Sequence, residues 1–208
     1  MELKDQLFPA SYHSKPSSTL APQKKRSVSA VIREWVQVIV VALVIALPIR
    51  FYIAEPFIVD GASMDPTFST GQFLIVDRLT YRFHEPTRGD VIVFEYPNNP
   101  NIYYIKRIIG LPRETVSIKN GVVYIVNTTN PKGLKLDEPY IESSHTSTDT
   151  AGPVHLEPEQ YFVMGDNRAQ SSDSRVWGPL DKSFIVGRPI VRLLPINTVS
   201  AFPGEYTK

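Results

Sequence analysis

Residues 35–49, WVQVIVVALVIALPI, run without a charge and follow closely on Lys24, Lys25, Arg26 and Arg33. As a helix the run reaches about 22 Å at 1.5 Å per residue, short of a ~30 Å hydrocarbon core. Extended through Arg50, Phe51, Tyr52 and Ile53 it reaches about 28 Å, with Arg50 close enough to that end to snorkel. Trp35, Phe51 and Tyr52 stand where an aromatic belt would lie. A buried core helix is the alternative that length alone permits. A cleaved signal peptide is a third reading. Its n-region would be long, however, and its small-residue site at Ala46 falls inside the apolar run. The flanking cations favour an uncleaved transmembrane anchor over residues 31–54.

Charge orients that anchor. Residues 1–34 carry six basic and three acidic side chains, while the remaining 174 carry 16 and 18. The basic excess predicts a cytoplasmic N-terminus and places residues 55–208 across the membrane. Residues 1–30, rich in Ser, Pro and Lys with no sustained apolar period, read as a disordered cytoplasmic tail. The 208 residues include no cysteine. A disulfide framework, a Cys-ligated metal and a thiol nucleophile are all excluded. A net charge of +1 argues against a nucleic-acid partner.

The exported part reads as mainly β. Short β-rich runs at 73–77, 90–96, 102–109, 115–119, 122–126, 161–164, 185–194 and 198–202 are separated by turn residues. Asn120-Gly121 between two of them is a two-residue hairpin signal. Residues 127–160, polar and rich in Thr, Ser, Pro and Asp, read as a long surface insertion with little core. The expected architecture is a single N-terminal transmembrane helix followed by an antiparallel β-sheet domain.

Candidate chemistry starts from what is scattered. His13, His84, His145 and His155 show no metal-ligand spacing, and a Ser-His pairing through space stays open. Asp60-Gly-Ala-Ser63-Met-Asp-Pro-Thr67 follows the anchor, with Gly61 and Ala62 letting a backbone approach Ser63. In the run 103–110, YYIKRIIG, strand alternation puts Ile102, Tyr104, Lys106 and Ile108 on one face. A lysine among apolar neighbours loses pKa through desolvation, and a neutral amine can serve as a base. The plain alternatives are an ordinary loop serine and an edge-strand lysine that snorkels.

Four blocks together resemble the type I signal peptidases, membrane-anchored Ser-Lys endopeptidases that remove signal peptides. They are SMDPT at 63–67, RGDVIVF at 88–94, YIKRIIGLP at 104–112 and GDNRAQSSDSRVWG at 165–178. The resemblance covers roughly residues 31–200. It implies that Ser63 is the nucleophile and Lys106 the general base, with the Ser171 hydroxyl helping to orient the lysine. It also implies two supporting ion pairs, Asp166 with Arg107 and Asp173 with Arg175. Their purely structural reading is that they hold the site's shape. Met64 beside the nucleophile has packing as its plain role.

Two departures from the pattern stand out, at Gly61 and at Ala169-Gln170. Some relatives place a serine or threonine hydroxyl in the oxyanion hole where this chain has Gly61. Many carry an acidic residue and Asn where this chain has Ala169-Gln170. The resemblance implies no metal or organic cofactor. Its implied partners are preprotein signal peptides cut after an Ala-x-Ala-like site, the lipid bilayer and the protein-export machinery. The implied location is a bacterial-type cell membrane or a thylakoid membrane, single-pass, with the catalytic domain on the outer face. Two alternatives come from other classes. One is a self-cleaving Ser-Lys regulator, which needs a DNA-binding module this N-terminus lacks. The other is a non-catalytic membrane-anchored β-module that binds exported proteins.

Overall fold

The computed structural model describes residues 27–48 and 53–205. Most of the expected tail, the expected snorkelling Arg50, and Phe51 and Tyr52 of the expected belt lie outside the described residues. Helix α1, Val28–Pro48, has 21 residues and so reaches about 31 Å. Its stretch Val31–Pro48 has a mean hydropathy of 2.0, and none of that surface is buried. Val38, Ile39 and Leu43 are exposed around it. The helix is long and apolar enough to cross a membrane. The expected anchor ran to residue 54; helix α1 is described as far as Pro48, residues 49–52 lie outside the described residues, and Ala54 opens the first strand.

The β part carries twelve strands among the described residues: β1 Ala54–Ile58, β2 Phe73–Asp77, β3 Val91–Tyr96, β4 Asn99–Gly110, β5 Thr115–Lys119, β6 Val122–Val126, β7 Leu134–Lys135, β8 Ala151–His155, β9 Gln160–Met164, β10 Leu180–Asp181, β11 Ile185–Leu194 and β12 Ser200–Ala201. They form two antiparallel sheets. The larger runs β1-β2-β11-β3-β4-β9-β10, with β12 paired to β11. The smaller runs β7-β6-β5-β8. Two short helices, α2 Thr80–Phe83 and α3 Ser174–Trp177, sit in connections. Each expected β-rich run contains a strand, although 198–202 contributes just the two residues of β12.

Alternation builds the smaller sheet. Val116 and Ile118 of β5 and Val123 and Ile125 of β6 point inward and pack with Ile109, Leu156, Phe162 and Met164. Asn120 (φ 49°) and Gly121 (φ 78°) join β5 to β6. Positive φ at both turn residues is what a tight two-residue hairpin requires.

Residues 127–160 are not a coreless insertion, and here the sequence-based expectation is corrected. Leu156 is fully buried, and Leu136, Tyr140, Ala151 and Val154 pack on the same cluster. Strands β7 and β8 flank the β5–β6 hairpin on either side. The segment lies flush against the hairpin: a Cβ on Gly121 would stand 1.8 Å from the Ser147 carbonyl oxygen. Its apolar residues follow no period of 2 or 3.6, so nothing in the pattern announced their burial.

Strand β4 positions the site. It lies between β3 and β9 at the centre of the larger sheet, with Ile92 opposite Lys106 and Met164 opposite Arg107. β9 covers β4 from Arg107 onward. Among the described residues, no strand pairs with the same edge over Tyr103–Lys106.

Candidate active site

Ser63 sits in the loop between β1 and β2. Val59 N–H donates to Gln72 O at 2.9 Å and Gly71 N–H to Val59 O at 2.9 Å, closing the loop's base. Met64 (1% exposed) and Phe68 (0%) anchor it in a cluster with Val59, Leu74 and Val91. Met64 is thus a packing residue that pins the chain beside Ser63. Gly61 has φ +102°, a conformation L side chains rarely adopt, and its N–H donates to Thr70 Oγ1 at 3.1 Å.

Lys106 Nζ lies 2.6 Å from Ser63 Oγ and donates to Ile105 O at 2.9 Å. The lysine is 3% exposed. Burial lowers its pKa from 10.5 to about 8, against an opposing pull from the Asp173 and Asp166 carboxylates. About a tenth of the amine is therefore neutral at pH 7, and half of it near pH 8. Residues 106–110 of β4 are all buried, so alternation shows in partners instead: Ile108 packs with Ile92 and Phe94, Ile109 with Val116 and Ile118, while Ile102 is 44% exposed at the open end.

Behind the dyad lies a layer of buried charge. Arg107 Nε and Nη2 donate to Asp166 Oδ1 and Oδ2 at 2.8 and 2.7 Å. Arg107 Nη1 donates to the carbonyls of Gly89 and Gly204, and Thr67 Oγ1 donates to Asp166 Oδ2 at 2.6 Å. Asp173 accepts from Arg175 Nε and Nη2, both at 2.8 Å, and from Gly165 N–H at 3.1 Å. Burial is the largest influence on the Asp173 carboxyl and pushes it up, yet Arg175, Ser171 and the Gly165 N–H together hold the group below its ordinary value. These bonds complete both buried ion pairs, as buried charges require.

Ser171 stands beside the dyad without bonding Lys106. Its Oγ is buried and faces the Asp173 carboxylate without the geometry of a full hydrogen bond. Gly165 lies between: a Cβ there would stand 2.3 Å from Ser63 O and 2.4 Å from Ser171 Oγ. Asn167 N–H donates to Ser63 O at 3.1 Å. The loop after β9 is thereby fixed to the backbone of the serine.

A cleft of about 290 Å³ opens onto Ser63 and Lys106. Phe57, Val59, Leu74, Val93, Tyr104 and Ile105 give it apolar walls, with Asp60, Gly61, Gln170 and Ser172 at polar points. Gly61 and Gln170, from the two departures, therefore both border the cleft. Free backbone edges on β1 and on Tyr103–Ile105 of β4 flank it. Among the described residues no three or more His, Asp and Glu side chains gather where they could hold a metal. His84, His145 and His155 do not line the cleft, and His13 lies outside the described residues.

Sequence reading assigned no role to Thr67, Glu138, Tyr140, Gly165 or Arg168. Thr67, Gly165 and Arg168 fall within the quoted blocks. Glu138 and Tyr140 lie in the segment taken for an insertion and carried no local signal.

The family model described as "Signal peptidase, peptidase S26" matches residues 32–194. Signal peptidase I S of Bacillus subtilis (strain 168) is 42% identical over 184 residues, covering 84% of this chain and 93% of its own. Signal peptidase I of Bacillus licheniformis is 37% identical over 175 residues, covering 80% and 90%. A crystal structure of a signal peptidase I from Enterococcus faecalis V583 shows 31% identity and a TM-score of 0.41, covering 50% of this chain and 97% of that one.

Proposed function

The chain belongs to the signal peptidase family, peptidase S26, and on that premise we propose how it cleaves: Ser63 is the nucleophile and Lys106 its general base. The family makes it a serine endopeptidase that removes signal peptides from preproteins. That membership sets aside both the self-cleaving regulator and the non-catalytic module. The observation that carries the dyad is the 2.6 Å separation of Lys106 Nζ and Ser63 Oγ, with the lysine 3% exposed.

The proposed cycle runs through these residues. A substrate strand lays its backbone along the free edges beside the cleft, so main-chain hydrogen bonds supply affinity. The apolar walls favour small side chains at the first and third positions before the cut. Neutral Lys106 takes the Ser63 hydroxyl proton as Oγ attacks the scissile carbonyl carbon. The Ser63 N–H stabilises the resulting oxyanion, with a backbone donor or water as the second partner. The C–N bond breaks, the leaving amine takes the proton from Lys106, and the mature protein departs. Lys106 then deprotonates water, which attacks the Ser63 ester and frees the signal peptide.

The remaining expected roles keep their places in this scheme. The Arg107–Asp166 and Arg175–Asp173 pairs hold β4 and the 165–175 loop in register, and Ser171 packs behind the base. Helix α1 anchors the enzyme with its N-terminus in the cytoplasm and its catalytic part on the outer face. Confinement of enzyme and substrate to one bilayer raises their effective concentration. The test is preprotein processing by the full chain in detergent micelles. Ser63→Ala and Lys106→Ala should each abolish cleavage while remaining folded. Either variant keeping more than a few per cent of activity removes the dyad assignment.

A further inference from the structure

We propose that Glu138, assisted by Tyr140, is a positioning residue for the dyad, locking from the edge of the smaller sheet the two arginines that hold the nucleophile loop and β4. The proposal rests on the reading of Ser63 and Lys106 given above. Glu138 Oε2 accepts from Arg168 Nη1 at 3.0 Å, and Oε1 pairs with Arg168 Nη2 in a two-point ion pair. The side chains are 3% exposed for Arg168 and 10% for Glu138. Tyr140 OH donates to Glu138 Oε1 at 2.9 Å. The Tyr140 ring also lies against the Arg107 guanidinium, 4.1 Å from its centroid.

Two routes lead from this pair to the reacting atoms. In the first, Arg168 Nε donates to Gly165 O at 3.1 Å. Gly165 is the residue wedged against Ser63 O and Ser171 Oγ. In the second, Arg107 adjoins Lys106 on β4 and reaches the nucleophile loop through Asp166 and Thr67. Charge completes the case. Arg107, Arg168 and Arg175 are balanced by Asp166, Asp173 and Glu138, so removing Glu138 leaves one buried cation unpaired. Neither Glu138 nor Tyr140 lines the cleft. Their loss should act on the chemical step and spare substrate binding.

The full-length protein in detergent micelles, with a preprotein substrate, provides the test. Turnover by wild type and silence of Ser63→Ala establish the reading on which the proposal rests. Glu138→Gln is expected to lower kcat by at least about tenfold with KM within about twofold. Tyr140→Phe keeps the ring and removes the hydroxyl bonded to Glu138; kcat should fall about threefold. The double variant Glu138→Gln/Arg168→Met removes both charges and should recover part of the Tm lost in Glu138→Gln. Its kcat should stay low, because without Arg168 the Gly165 carbonyl has lost its donor. Recovery of kcat together with Tm would show a merely structural pair and overturn the proposal. So would wild-type kcat in Tyr140→Phe and Glu138→Gln. Should Glu138→Gln fail to fold, Tyr140→Phe and the double variant decide by the same criteria.

Discussion

Gly165 and Ser63 touch through their backbones: a single Cβ on Gly165 would stand 2.3 Å from the Ser63 carbonyl oxygen. Backbone is the obstacle there, so no side chain can swing aside. Gly165→Ala must push the nucleophile loop away from the 165–171 loop. A shift near 1 Å at reacting atoms costs about 10²-fold in rate, and overpacking of this kind costs about 1–3 kcal/mol. The variant is expected to lose roughly two orders of magnitude in kcat and a few degrees in Tm. Gly152→Ala, with open space at its Cβ, is the control and should change neither. Wild-type kcat in Gly165→Ala would show that the contact does not set the geometry of Ser63.

The low pKa of Lys106 carries a stability signature. Its value is about 8 in the folded state and 10.5 in the unfolded chain. Above pH 10.5 the amine is neutral in both states and burial costs no charge. Between 10.5 and 8 the unfolded chain binds the proton first, so stability falls as pH falls. Below pH 8 the full penalty is present, at most about 3 kcal/mol at 1.36 kcal/mol per unit. Lys106→Met lacks it. Thermal melts of both proteins should show the variant gaining on wild type as pH drops from 10.5 to 8, with a constant gap below. A pH-independent gap would mean that Lys106 is not desolvated.

Gly61 raises a different question, because its φ of +102° strains any residue with a Cβ although space is open around it. Serine there cannot simply restore the hydroxyl some relatives use. Gly61→Ala and Gly61→Ser share the backbone strain, of order 1–3 kcal/mol, and differ in one hydroxyl. Both should lose kcat, and the two should agree within about twofold if backbone or water already completes the oxyanion hole. A serine variant faster than the alanine variant by tenfold or more would show that the site lacks a donor.

How much of this was legible differs residue by residue. The apolar run foretold α1 because an uncharged stretch of that length has few other homes. The β5–β6 hairpin was readable because Asn120-Gly121 encodes positive φ locally. Ser63 and Lys106 are 43 residues apart, and their resemblance to a known pattern, not their spacing, joined them. The paired charges at Arg107–Asp166 came by the same route. β8 was illegible: Gly152 and Pro153 are poor strand formers, and pairing with β5 makes the strand. Glu138 and Arg168 are separated by 30 residues and lie in segments without periodicity. Their buried pairing is set by tertiary contact alone, which no local pattern records.

The central claim is that Lys106 is the base that activates Ser63, and the pH dependence of single-turnover acylation tests it most directly. Wild type should lose rate with unit slope as pH falls through about 8, the pKa that burial gives Lys106. In Lys106→Ala the rate should vanish. In Lys106→His any residual rate should follow a limb displaced toward the imidazole range near 6.5. A limb at the same pH in wild type and Lys106→His, with acylation persisting, would contradict the account and place the base elsewhere.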